Sequence, residues 1–61
     1  MGKLTIRFQD SKGVTWENTA PTREEADRFA SNMCKNIANL TAEVFSGTGR
    51  QLSIFGGFQK N

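Results

Sequence analysis

The chain has 61 residues, with 8 lysine and arginine residues against 6 aspartate and glutamate residues, one cysteine and no histidine. A chain of this length forms one domain with a small core, because it buries only about 60% of the surface that its unfolded form exposes. The net charge of +2 is small, whereas strong nucleic-acid binders usually carry a stripe of basic residues. The lone cysteine excludes an internal disulfide.

The first predicted element is a β-hairpin. Residues 3–9, KLTIRFQ, alternate between apolar and polar side chains, as a strand with one buried face does. A second strand is predicted over 14–19, after a turn in which Gly13 takes a positive φ. A three-residue loop pairs Phe8 with Trp16 and keeps the apolar side chains together, whereas a four-residue loop divides them between both faces. The residues assigned to the core from this hairpin are Leu4, Ile6, Phe8, Val14 and Trp16.

A helix is predicted next, from about residue 23 to 38. Thr22 followed by Glu25 is the pattern of a capping box, in which the threonine hydroxyl accepts from the Glu25 amide and the carboxylate returns to Thr22. Asn39 suits the left-handed conformation that ends a helix. The apolar stripe at helical spacing consists of Ala26, Phe29, Ala30, Met33 and Ile37.

The second hairpin is predicted from strands over 41–46 and 50–55, joined by a glycine-rich turn with Gly49 at a positive φ. The predicted pairs are Ser46 with Arg50, Val44 with Leu52, and Ala42 with Ile54. In this register the apolar partners point towards the helix. Phe45 and Phe55 then point to the opposite face of the sheet.

These elements predict an α+β fold with the order ββαββ, a four-stranded antiparallel sheet with one helix packed on one face. The single domain spans 1–61, and the glycine-rich residues 56–61 are predicted to be a flexible tail. One helix covers only one face of such a sheet. Phe45 and Phe55 are therefore expected to form an apolar patch on the open face.

Groups for catalysis are scarce, since the chain has no histidine and no tyrosine. Each carboxylate has a structural explanation in a turn, a cross-strand pair or a helix start. Cys34 lacks a histidine to activate it and is expected to be a half-buried small apolar residue. We therefore predict a protein that is not an enzyme and has neither a catalytic residue, a metal site nor a cofactor.

The open face predicts a protein-binding site, with Phe45 and Phe55 as anchors and Arg7 and Arg50 as polar contacts. Aromatic residues and arginine are the side chains that most often anchor protein interfaces. The expected partner is a larger protein, and a homodimer of this chain is the alternative. If both rings lie on the open face, replacing both by alanine leaves the stability of the monomer nearly unchanged.

A nucleic-acid-binding module is the alternative function, because aromatic rings among basic residues on open sheets stack unpaired bases. The residues for this single-strand or RNA site are Lys3, Arg7, Phe45, Arg50, Phe55 and Lys60. Glu17 and Glu43 are expected on the same face, and they favour a protein partner over a polyanion.

A cytoplasmic location is predicted, because a lone cysteine is typical of a reducing compartment. Residues 1–20 contain no apolar stretch of the kind found in signal peptides or membrane spans, so no membrane partner is expected. The element order resembles that of short proteins carried by phages and other mobile elements, some of which block a host complex. This resemblance implies a regulator or inhibitor.

Overall fold

The computed structural model describes residues 3–56, which form four strands and one helix. The elements in chain order are β1 (Leu4–Gln9), β2 (Thr15–Ala20), α1 (Arg23–Asn36), β3 (Thr41–Phe45) and β4 (Gln51–Gly56). Of the predicted tail, Gly56 belongs to β4, and residues 57–61 lie outside the described residues.

The predicted α+β fold is confirmed. The strands form one antiparallel sheet in the order β2-β1-β3-β4, so that β1 and β3 are central and β2 and β4 are the edges. The helix packs on one face and contacts all four strands. Within residues 3–56, no element covers the opposite face, which we call the open face.

The register of the first hairpin is confirmed, with Phe8 paired to Trp16. The Asp10 amide donates to the Val14 carbonyl at 3.0 Å, and Gly13 takes a φ of 88°. The Asp10 carboxylate also accepts from two turn amides, at 2.9 and 3.0 Å. The prediction that Val14 lies in the core is wrong: it is 54% exposed, and it lies between the turn and the start of β2.

The core lies between α1 and the sheet. In the described part of the chain its buried residues are Leu4, Ile6, Phe8, Ala20, Ala26, Ala30, Leu40, Ala42 and Val44. The Phe8 ring stacks on Trp16 at 5.4 Å and meets Phe29 edge-on at 5.6 Å between ring centroids. Of the other residues predicted for the core, Trp16 and Met33 pack half-buried against it, whereas Phe29 and Ile37 are exposed at its rim.

The helix begins as predicted, since Thr22 Oγ1 accepts from the Glu25 amide at 3.2 Å. Within residues 3–56, the Thr22 amide does not donate to the Glu25 carboxylate, so the second hydrogen bond of the capping box is not formed. The helix ends at Asn36, slightly before the predicted position, and Asn39 takes the expected left-handed conformation with a φ of 63°. The left-handed conformation of Asn39 directs Leu40 into the core. The helical spacing did not predict Leu40 as a core residue.

The turn of the second hairpin is also as predicted. The Ser46 amide donates to the Arg50 carbonyl at 2.8 Å, and Gly49 takes a φ of 95°. Ser46 Oγ accepts from the Thr48 and Arg50 amides, at 3.3 and 3.1 Å, and so stabilises the loop.

We expect Gly49→Ala to lower the free energy of unfolding by about 1 kcal/mol, because an L side chain is strained at positive φ. No described atom lies within 4 Å of a Cβ at Gly49, so the loss reflects backbone strain alone. Gly47→Ala is the matched control in the same turn, since Gly47 lacks a positive φ and its Cβ would only touch the Lys3 carbonyl at 3.4 Å. Urea denaturation gives the free energy of unfolding of both variants. An equal loss in both would contradict the claim that backbone strain at Gly49 causes the loss.

The register of β4 against β3 differs from the predicted one because β4 contains a β-bulge. The structure pairs Phe45 with Gln51, Val44 with Ser53, and Ala42 with Phe55. Leu52 is therefore an extra residue with no partner of its own. Because side chains alternate along a strand, this shift turns Phe55 to the helix side and Ile54 to the open face. The predicted faces of these two residues are wrong.

Arg23, the first residue of α1, holds the bulge in place. Its guanidinium donates to the Leu52 carbonyl at 3.2 Å and to Ser53 Oγ at 2.8 Å, while its Nε lies 3.2 Å from an Asp27 carboxylate oxygen. The new register also packs the Phe55 ring against the core. A phenylalanine ring buries more apolar area than an isoleucine side chain. The bulged register is therefore more favourable than the predicted register, in which Ile54 would face the helix.

Candidate functional site

The open face is built from rows of side chains that cross the sheet, since antiparallel partners point to the same side. The middle row consists of Glu17, Arg7, Glu43 and Ile54. The next row consists of Thr19, Thr5, Phe45 and Gln51. Within residues 3–56, these two rows are thus polar except at Phe45 and Ile54.

Arg7 is held at the centre of this face by contacts on two sides. Its Cζ lies 5.2 Å from the centroid of the Phe45 ring, and its Nε lies 3.5 Å from Glu17 Oε2. Glu43 is its cross-strand partner on β3. A cation–π contact at an exposed site contributes about 0.5–1 kcal/mol and an exposed ion pair about 0–1 kcal/mol. The contacts therefore orient the guanidinium more than they stabilise the fold.

Ile54 is the most exposed large apolar side chain on the described open face, at 58%. It lies on the edge strand β4, opposite Glu43. We call Arg7, Phe45 and Ile54 together the open-face patch. The alternation of the sequence could not indicate Ile54, because only the bulge turns this residue outwards.

The structure brings together only part of the predicted protein-binding site. Arg7 and Phe45 are in contact on the open face, as predicted. The predicted position of Phe55 on the open face is wrong, because Phe55 packs half-buried against the core on the helix side. Arg50 lies in the turn before β4, exposed at one end of the sheet, and Lys3 lies exposed near the same turn.

The predicted nucleic-acid site is less coherent in this arrangement. Lys60 lies outside the described residues, and with Phe55 turned inwards Phe45 is the one aromatic ring on the open face of residues 3–56. Glu17 and Glu43 flank Arg7 on both sides. A face with one ring and alternating charges offers little stacking and no cluster of cations for phosphates.

Cys34 has the environment of a structural residue. It packs half-buried against the core, and its Sγ donates to the Leu40 carbonyl at 3.4 Å. Burial raises the pKa of the Cys34 thiol above its ordinary value, and a backbone hydrogen bond from Ala42 opposes part of this increase. The thiol therefore stays protonated at neutral pH and is a poor nucleophile.

Within residues 3–56, the cysteine and carboxylate side chains form no group of three or more that could hold a metal ion. The described helix is neither long enough nor apolar enough to cross a membrane. The chain matches no protein-family model, no curated protein and no solved structure.

Proposed function

We propose that this chain is a non-catalytic cytoplasmic protein that binds a larger protein through the open-face patch and thereby modulates it. The observation that supports this is Arg7 stacked on Phe45 beside an exposed Ile54, on a face that no element of residues 3–56 covers. Without catalytic groups, such a protein acts by occupying a surface of its partner. Inhibition is the mode of action that this size suggests, as in the phage-borne proteins whose element order it resembles.

The patch has the chemistry of an interface centre. Complete burial of an isoleucine side chain contributes about 1.5–3 kcal/mol before the costs of association. Arginine and aromatic residues are the commonest anchors of interfaces. Because Arg7 is already positioned by Phe45 and Glu17, it loses less side-chain entropy when a partner binds.

The charges around the patch indicate which surface it fits. Glu17 and Glu43 lie on either side of Arg7, so the middle row alternates in sign. A complementary partner presents an apolar side chain to Ile54 and groups of both charges around it. Alternating charges contribute to specificity more than to affinity.

We expect Ile54→Lys to weaken capture of the partner by about tenfold or more, because a lysine in the interface has to be desolvated. Val14→Lys is the matched control, since Val14 is 54% exposed but lies just before β2, away from the patch. The measurement is affinity capture from a lysate with both variants, followed by titration calorimetry with the captured protein. Equal loss or equal retention in both variants would contradict the proposed site.

The same variant separates the other candidate partners. An added lysine should strengthen binding of a single-stranded oligonucleotide, whereas it should weaken binding of a protein. Oligonucleotide binding by the wild type that increases further in Ile54→Lys would therefore replace our proposal with the nucleic-acid function. Light scattering that shows a dimer for the wild type and a monomer for Ile54→Lys would identify a second copy as the occupant.

A further inference from the structure

A cleft of about 310 Å³ lies between the edge of β2 and the first half of α1. Its lining residues are Asn18, Thr19, Ala20, Pro21, Glu25 and Phe29. The cleft exists because the helix leaves part of β2 uncovered: Asn18 is exposed although it lies on the helix side of the strand. Of the lining residues, Ala20 is small and buried, whereas Phe29 is 38% exposed.

The strand beside this cleft, β2, has one edge that pairs with no other described strand. The Asp10 amide bonds to the Val14 carbonyl, so alternation in the antiparallel ladder directs the backbone groups of Trp16, Asn18 and Ala20 towards β1. The N–H and C=O groups of Thr15, Glu17 and Thr19 then point out of the sheet. Within residues 3–56, β2 pairs with β1 alone, so these groups have no strand partner.

We propose that this edge and cleft bind an extended segment of another protein, which adds to β2 as a further strand. An added strand supplies the partners for the outward backbone groups of β2. Its central side chain enters the cleft and packs on Phe29. The cleft volume is at the lower end of the range for small-ligand sites, which suits one or two side chains better than a large cofactor.

The charge of the cleft determines the kind of segment. Glu25 lines the cleft and makes no ion pair within residues 3–56, whereas its neighbour Glu24 pairs with Arg28 at 3.5 Å. Glu25 is thus the one charged residue of the lining, and it is acidic. The segment that fits has an apolar residue at its centre and a lysine or arginine two residues away, on the same side of the strand.

The probe for this inference is a capped heptapeptide with valine at the centre, lysine two residues to either side, and threonine elsewhere. The readout is amide hydrogen exchange by NMR on the full chain. We expect the probe to slow exchange at Thr15, Glu17 and Thr19 about tenfold at saturation, because their amides become hydrogen-bonded. The amides of Trp16 and Asn18 should change little, since they already bond to β1.

Two matched probes test the two parts of the inference. A probe with N-methylated backbone amides keeps the side chains but lacks the donors, and it should not bind. A probe with glutamate in place of both lysines should bind more weakly. Glu25→Gln should weaken binding of the lysine probe about threefold. Binding of the glutamate probe should be no weaker than to the wild type.

The inference would be overturned if the lysine probe failed to bind at millimolar concentration, if the N-methylated probe bound equally well, or if exchange at Thr19 stayed unchanged at saturation. The cleft is separate from the open-face patch. Ile54→Lys should therefore leave probe binding intact, so failure of this inference and failure of the proposed function give different results.

Discussion

Phe8→Ala is expected to leave much of the protein unfolded in the absence of denaturant. Within residues 3–56, Phe8 is the largest fully buried side chain, and its ring contacts both Trp16 and Phe29. Phenylalanine-to-alanine changes in a core cost about 3–5 kcal/mol. A domain of 61 residues has a total stability of roughly 3–9 kcal/mol, so this one loss is comparable with the whole.

Trp16 makes the measurement direct, because it is the only tryptophan and it stacks on Phe8. Urea titration followed by its fluorescence gives the unfolding curve. Phe8→Leu keeps most of the apolar volume and should retain a cooperative transition at a lower midpoint, which provides a value even if the alanine variant is unfolded. A Phe8→Ala midpoint within error of the wild type would show that Phe8 is not at the centre of the core.

Phe55→Ala is expected to lower the free energy of unfolding by about 2 kcal/mol, and Phe45→Ala by about 1 kcal/mol or less. Phe55 packs against the core, so its removal leaves a partial cavity. Phe45 lies on the open face, where it loses mainly its contact with Arg7. This difference replaces the expectation from the sequence that removal of both rings leaves stability unchanged.

Urea denaturation of the two single variants tests the register of β4. The two variants truncate the same side chain in neighbouring strands. Their unfolding curves should have clearly unequal midpoints but similar slopes, since the surface exposed on unfolding changes little. Equal small losses in both variants would indicate that Phe55 lies on the open face and that β4 has no bulge. Partner binding supplies the opposite ranking, because Phe45→Ala should weaken it more than Phe55→Ala.

Local patterns were sufficient to predict most of the fold. Strict alternation predicted β1, and loop length with a glycine at positive φ predicted both turns. Thr22 correctly marked the start of α1. Each of these features depends on interactions between residues close in the sequence, so a reading of the sequence alone could identify them.

The candidate site was only half predicted. Arg7 and Phe45 follow from alternation along β1 and β3, which stay regular. Ile54 and Phe55 exchange faces at the bulge, and nothing in the spacing of β4 indicates it. Leu40 was missed as a core residue because it lies between α1 and β3, where neither the helical spacing nor the strand alternation applies.

The sequence by itself therefore determined the order and type of the elements, the two turns and the start of the helix. Only the tertiary structure decided the strand order, the register of β4 and the cleft beside β2. The physical reason is the distance of the contacts along the chain. The bulge depends on Arg23 bonding to Leu52 and Ser53, 29 and 30 residues away, and on whether the Phe55 ring or Ile54 packs better under the helix.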